Sequence, residues 1–162
     1  MRVRRASYLD FLTAQSRGDL PSAVRFQVSL PTPWAIVGVG RFGRAEFPHV
    51  FRAYERAMLE ELVRLCCTIP HEHLSVQWDI AHEMIIFDGR WQAPYEMWRP
   101  FPGMGEYFAD NVARLIAAVP ADVETGIHLC YGDRDGHHFI EPLDLGKAIE
   151  LQRTWWSASS AH

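Results

Sequence analysis

A histidine and a cysteine stand two positions apart at the end of a β-rich segment, at His128 and Cys130. Residues two apart on a strand point to the same side, so an imidazole and a thiolate would converge on one point. Zinc accepts both ligand types at about 2.0–2.3 Å, which makes the pair a candidate metal site. A catalytic zinc takes roughly three protein ligands, however, and the alternative is that both residues pack in the core.

Polar residues also end an earlier β-rich segment. Gln77 and Asp79 share one face by the same two-residue period, and a carboxylate at the mouth of a parallel sheet can hold a substrate ammonium group. The alternative for Asp79 is a helix or loop cap. Glu83 follows shortly afterwards and is a candidate general base or ligand. We therefore expect Gln77, Asp79 and Glu83 to bind substrate.

Other groups of histidine and cysteine favour structural interpretations. His137 and His138 follow a polar, turn-like loop, where solvated side chains are expected. The His71-Glu72-His73 run precedes a strand and so lies at the end opposite the expected site. Cys66 continues an apolar helical stripe, for which packing is the favoured explanation.

Strand-like and helix-like segments alternate along the chain. Strands are expected near residues 24–30, 74–79 and 125–131, and helices at 8–15, 48–67, 105–119 and 144–153, the last opened by Pro142. Such alternation predicts parallel strands with helices packed outside, either as a βα-barrel or as an open doubly wound sheet. In both architectures the carboxyl ends of the strands face the ligand crevice.

The composition is that of a globular protein. Of 162 residues, 48% are hydrophobic and 22% charged, and the net charge is −4. The acidic balance argues against nucleic-acid binding, and no apolar run reaches the roughly 18–20 residues of a membrane span. Three cysteines do not form a disulfide framework, so we expect a cytoplasmic, reducing location.

Three strings resemble one protein family in the same order along the chain. They are RFQVSLPTP (25–33), IPHEHLSVQWDIAHE (69–83) and HLCYGDRDGHHFIEPLDL (128–145). Together they resemble the MetE-like proteins of the uroporphyrinogen decarboxylase/cobalamin-independent methionine synthase superfamily, over about residues 6–152.

The resemblance implies a TIM barrel with zinc at its carboxyl-terminal face. The zinc would activate a thiol such as homocysteine, which takes a methyl group from a folate donor. It also implies that His128 and Cys130 are zinc ligands and that Asp79 holds the substrate amino group. Two departures are plain. The family has Asp-Glu-Pro-Ala where this chain has DIAHE (79–83), and its zinc site takes a later glutamate and a later cysteine, whereas no cysteine follows Cys130.

Length limits how much of a barrel the chain can form, since a complete βα-barrel takes about 250 residues. We therefore expect residues 1–162 to form a single incomplete domain, a truncated (β/α)8-type barrel that is weakly active or inactive alone. One alternative is a non-catalytic fragment that associates with itself through open barrel edges. Another is a metal-free lyase of the decarboxylase type, for which arginines are available to bind a carboxylated substrate. These are Arg41, Arg44, Arg90 and Arg99.

Overall fold

The computed structural model describes residues 2–38, 42–43, 45–90, 102–133 and 135–159. Arg41, Arg44 and Arg99, three of the four arginines considered for a lyase, lie outside this range.

Six helices and three strands make up the described part of the chain. In order they are α1 (Arg2–Ser16), β1 (Phe26–Pro31), α2 (Pro33–Val37), α3 (Phe47–Cys66), β2 (Leu74–Ile80), α4 (His82–Asp88), α5 (Met104–Ala117), β3 (Glu124–Leu129) and α6 (Gly146–Ser159). A short 3₁₀ turn, His71–His73, leads into β2. The fold is α/β, as the alternation of segments predicts.

The three strands form one parallel sheet in the order β1-β2-β3. Ser29 is the register partner of Gln77, and Asp79 is that of His128. Parallel strands need a crossover connection, and α3 and α5 lie in the two crossovers. The carboxyl ends of all three strands therefore meet at one edge, as the sequence predicts.

The two long crossover helices match their expected bounds closely. Helix α3 buries Phe51, Leu62 and Leu65, and α5 buries Phe108 and Leu115 on its inner side. Both helices end shortly before a proline, which cannot continue a helix. The apolar stripes recur at helical spacing, and this strong periodic signal is why the sequence locates these helices to within two residues.

The two faces of the sheet differ sharply in polarity. Val28, Leu30, Val76 and Trp78 are buried in a cluster with apolar residues of α3 and α5. The alternate residues of the same strands point to the opposite face, which is polar and open to solvent. The open face includes Gln27, Ser29, Gln77, Asp79 and His128, and of these Gln27, Ser29 and His128 are exposed.

Two short helices at the carboxyl edge are not expected from the sequence. Thr32 caps α2 by accepting a hydrogen bond from the Ala35 backbone N–H at 3.2 Å, and Pro33 occupies the first turn. The proline pair that ends β1 thus also begins a helix. Helix α4 buries five consecutive residues, His82 to Ile86, so it has no polar side from which a helical period could be read.

Some expected bounds are corrected at their ends. Strand β1 begins at Phe26 rather than residue 24, and β3 ends at Leu129 rather than residue 131. Helix α6 begins at Gly146, so the residues from Pro142 form an irregular approach to it. Asp144 Oδ1 accepts a hydrogen bond from the Gly146 backbone N–H at 2.7 Å, which delays the helix start.

None of the helices in the described residues is both long enough and apolar enough to cross a membrane.

Candidate functional site at the open sheet face

A hydrogen-bonded chain of side chains crosses the open face, centred on Gln77. The Gln77 Nε2 donates to Asp79 Oδ1 at 2.8 Å and to Ser29 Oγ at 3.2 Å. The Gln77 Oε1 accepts from Gln27 Nε2 at 3.0 Å. The structure therefore brings Gln77 and Asp79 together on one face, as their spacing predicts, and adds Gln27 and Ser29 from the neighbouring strand.

His128 lies beside this chain on the third strand. Its backbone pairs with Asp79, and neighbouring strands run only about 4.8 Å apart. The imidazole is exposed, so it borders the same solvent-facing surface as the Asp79 carboxylate. A ligand on this face can contact the Asp79 carboxylate and the His128 imidazole at the same time.

Cys130 lies one residue beyond the end of β3. Its backbone N–H donates to the Ile80 carbonyl at 3.1 Å, which keeps Cys130 attached to the central strand. The residue is half-buried, and its thiol is free. His128 and Cys130 are thus held at the same carboxyl edge, two residues apart.

The donor types of His128 and Cys130 suit zinc, but their number falls short of a centre. Among the described residues, no three histidine, cysteine, aspartate or glutamate side chains stand together in a way that could hold a metal ion. His128 and Cys130 are therefore a pair of candidate ligands and do not make a complete site.

Glu83 occupies the interior beneath the carboxyl edge, not the open face. It is 1% exposed, and desolvation by burial raises its pKa to about 7 despite a hydrogen bond with the Thr32 side chain that lowers it. Its Oε2 has no hydrogen-bond partner in the described part of the chain. A ligand could reach Glu83 only by entering the core, and substrate binding by Glu83 stays a prediction.

His82, next to Glu83, is buried in an apolar setting. Its ring packs edge-on against Phe139 with the ring centroids 5.7 Å apart. Neither ring nitrogen has a hydrogen-bond partner among the residues described. Desolvation by burial lowers the pKa of His82, so the neutral imidazole is favoured.

An ion pair between the exposed Arg90 and the largely covered Asp88 side chain contacts the loop that follows Cys130. The Arg90 guanidinium donates to Asp88 Oδ2 at 2.9 Å and to the Glu141 carbonyl at 3.1 Å. The Tyr131 hydroxyl donates to the same Asp88 oxygen at 3.1 Å. The Arg90 hydrogen bond is also the main reason that the pKa of Asp88 lies below its usual value.

This arrangement bears on the lyase alternative, which needs arginines free to bind a carboxylated substrate. Arg90 is already held by the Asp88 carboxylate and a backbone carbonyl. Of the four arginines considered, the one that the structure describes is therefore already hydrogen-bonded within the protein.

The remaining candidates lie elsewhere. His138 Nδ1 and Glu141 Oε2 form an exposed pair at 3.1 Å in the loop after β3. His71 contacts Asp122 at 2.8 Å, at the amino-terminal edge of the sheet. Cys66 packs against the apolar cluster of α3, in agreement with the packing interpretation.

No protein-family model matches this chain, and comparison with curated proteins and with solved structures found no match either.

Proposed function

We propose that the chain forms part of a βα-barrel and that its open face is a section of the barrel's interior wall. The sheet supports this proposal because its three parallel strands follow one another in chain order, and residues of α3 and α5 pack against its apolar face. In a barrel the inward-facing residues and the carboxyl edge line the ligand site. The residues 1–162 would then be a truncated (β/α)8-type domain.

The proposed activity is methyl transfer to a thiol, of the cobalamin-independent methionine synthase type. The substrate would be a thiol amino acid such as homocysteine, with a folate as the methyl donor. The observation that carries the proposal is the placement of Asp79, Gln77 and His128 side by side at the carboxyl edge. Asp79 would accept hydrogen bonds from the substrate ammonium group, because a carboxylate is an acceptor only.

His128 and Cys130 would supply two ligands to zinc. When bound, zinc favours the thiolate form of a coordinated thiol, which is the nucleophilic form. Because two ligands do not complete a zinc centre, we propose that this chain by itself is weakly active or inactive. A reducing compartment such as the cytoplasm would keep the Cys130 thiol available.

Zinc titration tests this proposal. We expect purified protein to bind about one zinc ion weakly, with at least about tenfold loss of affinity in His128→Ala and in Cys130→Ser. His138→Ala is the matched control, since His138 is exposed beside a carboxylate in the nearby loop. Equal zinc affinity in wild type and His128→Ala would rule out the proposed ligand pair.

A second candidate function, from a different class, is non-catalytic self-association. Both outer strands of the sheet, β1 and β3, have six residues and an edge unpaired within the described residues. Exposed apolar side chains are a second feature that favours association: Ile127 on β3, Leu143 and Leu145 just before α6, and Ile149 within it. An unpaired strand edge can pair with another chain, and the partner proposed here is a second copy of this chain.

A further inference from the structure

We infer that Gln77 is a positioning residue, which fixes the Asp79 carboxylate for an ammonium ligand and does not itself bind the ligand. The inference deepens the proposed function and rests on it, because it requires an ammonium group at Asp79. It assigns a different role to Gln77 from the substrate contact that the sequence suggests.

The orientation of the Gln77 amide follows from its neighbour. A carboxylate only accepts hydrogen bonds, so the amide nitrogen must face Asp79 Oδ1, 2.8 Å away. The opposite orientation would set two oxygens against each other. With the nitrogen so placed, the Gln77 oxygen faces the Gln27 amide nitrogen, which donates to it at 3.0 Å.

The donors of Gln77 are fully used within the protein. An amide nitrogen carries two N–H groups, and Asp79 and Ser29 accept one each. Gln77 therefore has no N–H left for a ligand. A substrate that hydrogen-bonds to this amide nitrogen would have to displace one of the two protein contacts.

Asp79, in contrast, keeps one oxygen available. Its Oδ1 is held by Gln77, whereas Oδ2 has no hydrogen-bond partner among the described residues. Fixing one oxygen removes rotation of the carboxylate and aims the other at the ligand. The chain from Gln27 through Gln77 to Asp79 runs in one donor direction, which strengthens each hydrogen bond in it.

The test compares two thiols that differ only in the amino group, homocysteine and 4-mercaptobutanoate. Any contribution of zinc or of the thiol is common to both, so the ratio of their affinities isolates the ammonium contact. We expect wild type to prefer homocysteine about tenfold. Gln77→Met, which keeps the side-chain length but removes the amide, should lower the preference to about twofold without changing the affinity for 4-mercaptobutanoate.

Gln27→Met is the matched control, because it removes the outer hydrogen bond and leaves both Gln77 donors in place. It should keep most of the homocysteine preference. If Gln77→Met fails to fold, the side-chain amide of Gln77 can be followed by NMR in the wild-type protein. The N–H that donates to Ser29 should keep its signal on homocysteine binding, whereas the N–H on Asp79 responds to the ammonium group. A large shift of both signals would show direct ligand contact.

Asp79→Asn separates the inference from the proposed function. A loss of preference in Asp79→Asn together with a full preference in Gln77→Met would overturn the positioning role alone. A full preference in Asp79→Asn would contradict the ammonium site itself. If Gln77 is a positioning residue, the preference for homocysteine is lost in both Asp79→Asn and Gln77→Met and is kept in Gln27→Met.

Discussion

Glu83 is the residue whose ionisation depends most on its surroundings. It lies at the first turn of α4, and its environment is apolar except for the Thr32 hydroxyl. Burial disfavours the charged carboxylate, so the group holds its proton to about pH 7 in the folded chain. In the unfolded chain the same carboxyl has its ordinary pKa of about 4.5. The sequence shows a carboxylate after β2 but cannot show that it faces the core.

This difference makes folding stability depend on pH. Between about pH 4.5 and 7 the unfolded state binds fewer protons at this residue than the folded state, so the Glu83 contribution to stability falls as pH rises. The loss amounts to about 3 kcal/mol by pH 8. We expect Glu83→Gln, which is neutral at every pH, to remove this decline. The measurement is urea unfolding of both proteins from pH 4.5 to 8.

The titration of His82 changes folding stability with pH in the opposite direction to that of Glu83, so the unfolding experiment must separate the two effects. Its pKa is lowered in the folded state, so its contribution is present above about pH 6.5 and is lost as pH falls below that value. His82→Phe in both backgrounds removes this effect while keeping an aromatic ring against Phe139. The comparison is then between His82→Phe and the double variant His82→Phe, Glu83→Gln. If the free energy of unfolding changes with pH equally in both, Glu83 is not a buried carboxyl.

At the scale of elements, Thr32 joins two helices that carry the carboxyl edge. Its side chain caps α2 and is hydrogen-bonded to Glu83 at the start of α4. We expect Thr32→Ala to lower the free energy of unfolding by about 1–2 kcal/mol, through loss of the cap. It should also raise the pKa of Glu83 further, because the hydrogen bond that lowers it is gone.

Thr32→Ser is the control for this effect, since it retains the hydroxyl. Chemical denaturation gives the stability, and carboxyl NMR gives the titration of Glu83. A Thr32→Ser variant as unstable as Thr32→Ala would show that the threonine methyl group, and not the cap, matters at this position.

The elements differ in how far the sequence determines them. Helices α3 and α5 and the central strand follow from regular hydrophobic periods, and Gln77 and Asp79 share a face because strand geometry requires it. The short helix α4 is buried on all sides, so it has no amphipathic pattern to read. The contacts of Tyr131 with Asp88 and of Arg90 with the Glu141 carbonyl join residues far apart in sequence, and no local spacing indicates them.

At the scale of the whole molecule, helices α3 and α5 pack on one face of the sheet, and the polar face is open to solvent in the described part of the chain. Apolar side chains are exposed as well: Leu143 and Leu145, which precede α6, are 83% and 69% exposed. Apolar surface of this kind favours association. An assembly of copies would cover these leucines.

Sedimentation measures this association directly. We expect the wild-type chain to form dimers or larger assemblies with rising concentration, and the double variant Leu145→Glu, Ile149→Glu to weaken them about tenfold or more. Leu9→Glu is the matched control, because Leu9 is 54% exposed on α1, outside the proposed interface. A wild-type chain that stays monomeric at all concentrations would exclude the self-association candidate.

The open face of the sheet is the proposed ligand-binding surface. Backbone NMR of the wild-type chain tests this assignment by following each amide as zinc and then homocysteine are added. We expect shifts concentrated on the open face and its carboxyl edge, above all at Asp79, His128 and Cys130. Shifts confined to the His138–Glu141 loop, or to His71 and Asp122 at the far edge, would contradict it.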